Sequence, residues 1–143
     1  RTMPIEEAEP QVRRLIYRSV PTHLEDGDDL REILKQARLN NGLEGLSGLL
    51  LASEYGYLQV LEGSPESVDY VFRRIRVDKR HFAVNVLSDE ICPRRAFGDW
   101  TMASIEEDDA AAVRKIAARF LTVADDRVRA AVQDIAGPIL DEA

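Results

Sequence analysis

The chain has 143 residues, 45% of them hydrophobic, which suits one domain with a real core and is too apolar for a disordered segment. A formal net charge of −7 argues against a nucleic-acid binder, and the single cysteine, Cys92, excludes an intramolecular disulfide or a multi-cysteine zinc site. No apolar run approaches the roughly 18 residues of a membrane span and no signal peptide leads the chain, so a cytoplasmic, membrane-free protein is expected.

Arg1-Thr2, ahead of Met3, reads as a cloning remnant, and residues 1–12 as a tail. Residues 14–20 (RLIYRSV) predict a first strand, stopped by Pro21. Asp29-Leu30-Arg31-Glu32 has capping-box spacing and opens a helix. Its apolar stripe is Leu30, Ile33, Leu34 and Ala37, and Asn41-Gly42 closes it. Residues 46–52 and 57–62 predict a hairpin across Ser53-Glu54-Tyr55-Gly56. Ser64-Pro65 opens a second helix, with Val68, Val71, Phe72 and Ile75 on one stripe. Residues 82–91 predict a fourth strand and residues 97–103 a short fifth.

The order is that of an α+β fold, ferredoxin-like β-α-β-β-α-β with a fifth strand, in which right-handed crossovers place both helices on one sheet face. Residues 104–143 form a helical extension. Its first helix runs from Glu106 with Val113, Ile116, Ala117 and Phe120 as its stripe. The second carries Val128, Ala131, Val132 and Ile135 and is broken by Gly137-Pro138. Both are too short to be stable alone, so they are expected to pack on the opposite sheet face.

Tyr57-Leu58-Gln59-Val60-Leu61-Glu62-Gly63 places an uncharged amide in an apolar strand. Alternation sets Tyr57, Gln59 and Leu61 on one face, and a buried Gln needs partners for two donors and an acceptor. That is a poor core residue and a good reader of a flat polar ligand. Tyr17 lies mid-strand in a neighbouring strand, Asn41 ends the first helix, and Trp100 and Met102, two apart, are expected to share a face of the last strand. Each has a structural alternative. Tyr, Trp and Met are usually core packing, Asn before Gly is usually a helix cap, and Asn40 suits a solvated last turn. Gln59 alone resists such a reading.

The segments YRS, NN-x4-LSG-LLL, YLQVLEG, I-x-VDKRH and FGDW-x-M, in this order and spacing, resemble the BLUF family, domains that sense blue light using flavin. The resemblance runs from about Leu15 to Met102, making residues 13–103 the flavin-binding domain. It implies FAD, held non-covalently between the two helices. It also implies that Tyr17 hydrogen-bonds Gln59 and that Gln59 bridges to the flavin N5 and O4 edge. Asn41 would bind the pyrimidine edge, with Asn40 nearer the cofactor's polar chain. Ile33 and Ile75 would pack on opposite sides of the ring. Asp78, Arg80 and His81 would lie near the polar portion, although Arg73, Arg74, Arg76 and Lys79 beside them equally suit a solvated charge cluster. Trp100 and Met102 would report the state of Gln59 to the C-terminal helices. Val60 stands where relatives can carry an aromatic, and Leu46-Ser47-Gly48 where they often carry Ile-Thr-Gly.

The resemblance implies a photoreceptor, and because the stretch after Met102 is too short for a catalytic domain, a chain without enzymatic activity of its own is expected. The signal must then reach a separate effector protein, and homodimerisation through helices or sheet is a further expectation. One rival is a flavin-free ferredoxin-like adaptor. An acyl-phosphate hydrolase of the same topology lacks support: no Gly-rich loop offers an Arg/Asn pair beside the first strand, and the only histidines are His23 and His81.

Overall fold

A computed structural model describes residues 11–22, 27–98, 100–104 and 109–140. In chain order they form β1 (Val12–Pro21), α1 (Gly27–Glu44), β2 (Ser47–Ser53), β3 (Gly56–Gly63), α2 (Pro65–Arg76), β4 (His81–Cys92), β5 (Ala103–Ser104), α3 (Ala110–Leu121) and α4 (Asp126–Leu140). The strands lie in the order β4-β1-β3-β2-β5. Neighbours pair antiparallel except β2 and β5, which run parallel. β1 and β2 are therefore joined by a split crossover with β3 inserted between them, the ferredoxin-like plan with one added strand.

Strand alternation sorts the core into two layers. Leu15, Tyr17, Leu50, Tyr57 and Leu61 face Leu34 of α1 and Val68, Val71 and Phe72 of α2. Ile16, Leu49, Leu51, Leu58 and Val60 face the other way, under Val113, Ala117 and Phe120 of α3 and Val128, Val132 and Ile135 of α4. The C-terminal helices thus cover the opposite sheet face, as their stripes require. Each large aliphatic side chain buried there contributes about 1.5–3 kcal/mol relative to exposure, which stabilises helices too short to persist alone. All of β3 is buried, because it has sheet on both edges and helices on both faces.

Local chemistry sets the helix ends. Ser64 accepts the Ser67 N–H at 3.2 Å and Pro65 fills the first helical position of α2. α1 runs past the expected stop at Asn41-Gly42 as far as Glu44. Gly45, at φ +70°, takes the left-handed turn, with its N–H on the Gly42 carbonyl and the Leu46 N–H on the Asn41 carbonyl at 2.8 Å. This pair of reversed bonds is a Schellman motif, which needs a glycine one residue beyond the cap. At its other end α1 starts at Gly27, so Asp29 lies inside the helix and not at its start.

Two further expectations are corrected. The fifth strand is only Ala103–Ser104, because the described residues just before it are not extended: the Trp100 N–H bonds the Phe97 carbonyl at 3.1 Å, and the Ala96 and Phe97 N–H groups point at the Glu62 carboxylate. α4 continues through Gly137-Pro138, held by Ile135 and Ala136 on the sheet, and the missing proline N–H removes only one bond near its end. The tail at residues 1–10, His23 and the helix start at Glu106 lie outside the described residues. Among the described residues no helix is long and apolar enough to cross a membrane.

Candidate functional site

Between α1 and α2, over the sheet, opens a cleft of about 260 Å³. Tyr17 and Gln59 form part of its floor; Ile33, Asn40 and Asn41 line it from α1; Ile75 lines it from α2; Asp78, Arg80 and His81 follow α2 at its mouth. These nine residues are the ones the resemblance assigns to the cofactor, and the fold brings all of them to one cavity. On α1 they recur at helical spacing with Gln36, Ala37 and Glu44, so one helix face supplies that whole wall.

Tyr17 and Gln59 are directly opposite each other in the β1–β3 register, on the same sheet face. The Tyr17 hydroxyl donates to Gln59 Oε1. At the far end of the amide, Gln59 Nε2 meets Met102 Sδ at 3.6 Å, and sulfur is a weak acceptor. Gln59 is therefore held firmly at one end and loosely at the other. Burial, and after it the negative charge of Asp78 and the neighbouring Tyr57, pushes the Tyr17 phenol well above its usual range, so it remains neutral and keeps its proton. Phe72 packs against its ring at 5.4 Å between centroids.

Asn41 is 1% exposed although it sits in a helix. Its Nδ2 donates to the Thr101 carbonyl at 2.7 Å, which fixes the orientation of the amide. Its Oδ1 is buried without a hydrogen-bond partner. An orphaned acceptor of this kind costs about 1–3 kcal/mol unless a donor arrives. The helix cap at Gly45 is what frees this side chain from capping duty.

At the mouth, Arg80 pairs with the Asp78 carboxylate and reaches Gln36 Oε1 at 2.6 Å. The Arg80 guanidinium holds the Asp78 carboxyl below the usual carboxylate range. His81 presents Nε2 to the Ile75 carbonyl at 2.6 Å and Nδ1 to the Ser19 hydroxyl at 2.8 Å. In the neutral ring Nε2 then carries the proton and Nδ1 accepts. Both ring nitrogens serve the wall of the cleft, and the ring stands edge-on to Tyr17 at 6.2 Å.

The expectation that Trp100 and Met102 share a face is corrected. Met102 is 1% exposed in the layer of Gln59 and Tyr17, whereas Trp100 packs against the layer beneath α3 and α4. Both precede β5, in a turn where strand parity does not apply. Each carbonyl of this stretch is held from outside: Trp100 by the Gly48 N–H at 3.2 Å, Thr101 by Asn41, and Met102 by Arg38 Nε at 3.1 Å. Gly48, Arg38 and Tyr57 are contributors the sequence reasoning did not single out. A Cβ on Gly48 would lie 2.0 Å from the Val60 carbonyl oxygen, so only glycine lets the two backbones approach this closely, and it would come within 3.2 Å of the Met102 methyl. A glycine inside a strand was the available signal.

The residues fit an isoalloxazine. An imide N–H between two carbonyls would satisfy Asn41 Oδ1, a ring carbonyl could take the loosely held Gln59 Nε2, and Ile33 and Ile75 offer apolar walls from different helices.

Comparison with known proteins agrees. The family model described as "Sensors of blue-light using FAD" matches residues 12–103. Photoactivated adenylate cyclase subunit alpha of Euglena gracilis is 37% identical over 106 residues, 73% of this chain and 10% of that protein. The beta subunit from Euglena longa is 39% identical over 93 residues, 64% of this chain and 11% of that protein. The chain thus spans about a tenth of the length of these curated relatives. Among solved structures, the dark state of BlrB, a BLUF protein, superposes with a TM-score of 0.63 at 30% identity, covering 71% of this chain and 79% of that one. The BlsA ground state gives 0.63 at 28% identity, covering 80% and 74%.

Proposed function

The chain belongs to the BLUF family, blue-light photoreceptors that hold FAD non-covalently, and from that premise we propose how its own residues sense and pass on light. Bound FAD supplies the blue absorption and, when excited, the oxidising power. Tyr17 is the neutral, hydrogen-bonded phenol that can give up an electron and a proton, and Gln59 is the amide that registers the event. A half-turn of that amide would bring Oε1 toward Met102 Sδ, replacing a donor–acceptor contact with one between two acceptors. Tautomerisation would alter the same two contacts without exchanging the atoms. Either change is worth roughly 0.5–1.5 kcal/mol, so it needs a poised element to act upon.

That element is the stretch from Trp100 through β5, and the observation that carries the reading is the Tyr17–Gln59–Met102 chain of contacts. Asn41 and Asn40 would hold the ring edge and the polar chain, Ile33 and Ile75 the ring faces, and Asp78, Arg80 and His81 the mouth. Residues 13–103 act as the sensor and residues 104–143 as the output, with no catalysis of their own. The signal passes to a separate effector protein in the cytoplasm, with homodimerisation as an accompanying arrangement; the free, buried Cys92 suits a reducing compartment.

Absorption spectra before and after blue light test this. The expected result is a flavin spectrum with a small reversible red shift, abolished in Tyr17→Phe and Gln59→Leu. In Met102→Ala the shift should remain while the light-induced change in hydrogen exchange of α3 and α4 disappears. A protein colourless as purified would return the adaptor reading.

A further inference from the structure

We propose that the buried Glu62 carboxylate is a positioning residue of the light response: it fixes the Ala96 and Phe97 end of the output stretch, so that a shift at Met102 is delivered to α3. The proposal rests on the photoreceptor reading above.

Glu62 is 0% exposed and faces away from the cleft, three residues along β3 from Gln59. It is the centre of a cross-strand row, opposite Arg14 on β1 and Ser47 on β2. Oε2 accepts from Arg14 Nε at 2.8 Å and from the Ala96 N–H at 2.7 Å. Oε1 accepts from the Ser47 hydroxyl at 3.1 Å and the Phe97 N–H at 2.9 Å. A buried ion pair of this kind seldom adds stability over an apolar pair of the same size, so its distinct contribution is geometric. Two of the four donors belong to a stretch with no regular structure to position it.

The clamp also touches the output helix. The Phe97 ring lies 5.5 Å from that of Phe120 on α3, and the Arg14 guanidinium sits 5.5 Å from the same Phe120 ring. Arg14 further holds the Arg94 carbonyl at 2.9 Å, just before the turn. The stretch is therefore fixed at one end beneath α3 and rests at the other on Gln59. With the first end held, displacement at Met102 must be taken up by β5 and the start of α3. With it released, the same displacement dissipates in the turn.

The test is light-minus-dark hydrogen exchange on the FAD-loaded chain. In the wild type, the Ala96 and Phe97 amides should keep their protection to within two-fold in light, while amides of β5 and α3 change by at least five-fold. Glu62→Gln, which sets an amide N–H against these donors, should keep the flavin red shift and reduce the α3 response at least five-fold. A merely structural Glu62 would lower the melting temperature and leave the α3 response at its wild-type size, and that result overturns the proposal. So does loss of protection at Ala96 and Phe97 in illuminated wild type, which decides the matter alone if Glu62→Gln does not fold. Absence of any red shift in the wild type is a different failure: it overturns the photoreceptor reading and this proposal with it.

Discussion

The two faces of the sheet treat buried polar groups in opposite ways. Beneath α3 and α4, Glu62 has a donor for every lone pair it can use, and it lies beside a closely packed apolar layer. Beneath α1 and α2, Asn41 keeps an unpartnered oxygen and Gln59 spends an N–H on a thioether. Polar burial that serves architecture is saturated within the chain. Polar burial that serves a ligand is left incomplete, and the cost of that incompleteness is what the ligand relieves.

Substitutions should therefore separate the faces. Ile135→Ala, on the closed face, should lower stability by about 2–5 kcal/mol in urea unfolding and leave FAD affinity unchanged. Asn41→Ala, on the open face, should weaken FAD binding by about ten-fold, or about 1.4 kcal/mol, followed through the fluorescence of released flavin. Its unfolding free energy without FAD should stay within about 1 kcal/mol of the wild type, because a lost bond to Thr101 is offset by removal of an unsatisfied atom. A larger loss would break the distinction between the faces.

The smallest effect concerns Tyr17. Its phenol is held neutral in the fold, while in the unfolded chain it ionises near pH 10. The stabilisation is thus complete below that pH and is lost as pH rises beyond it. At pH 10.5 the wild type should lose roughly 0.8 kcal/mol that Tyr17→Phe does not lose, measured as the difference between their urea midpoints.

Much of this was legible in the sequence because it is local or periodic. Two-residue alternation put Gln59 on one face with Tyr57 and Leu61, helical spacing put Ile33 and Ile75 on inner stripes, and Ser64-Pro65 marked a helix start, while the pairing of Gln59 with Tyr17 came from the family resemblance. What was not legible depends on partners distant in sequence. The path at Ala96 and Phe97 is imposed by a carboxylate more than thirty residues away, so reading 97–103 as a strand placed Trp100 on the wrong side. The role of Arg38 is to hold a backbone carbonyl, which every residue possesses and no motif announces. α4 passes through Gly137-Pro138 because tertiary contact overrides local propensity there.

The three-residue spacing of Gln59 and Glu62 also limits how this protein can change in length. An odd offset gives the two side chains opposite parity, so a one-residue slip of β3 would carry the carboxylate into the cofactor cleft and the amide into the closed core. No such slip preserves one and spoils the other. Insertions and deletions that leave the protein working are therefore confined to the connections, such as the exposed Glu54-Tyr55 corner of the β2–β3 hairpin, and are excluded from the strand itself.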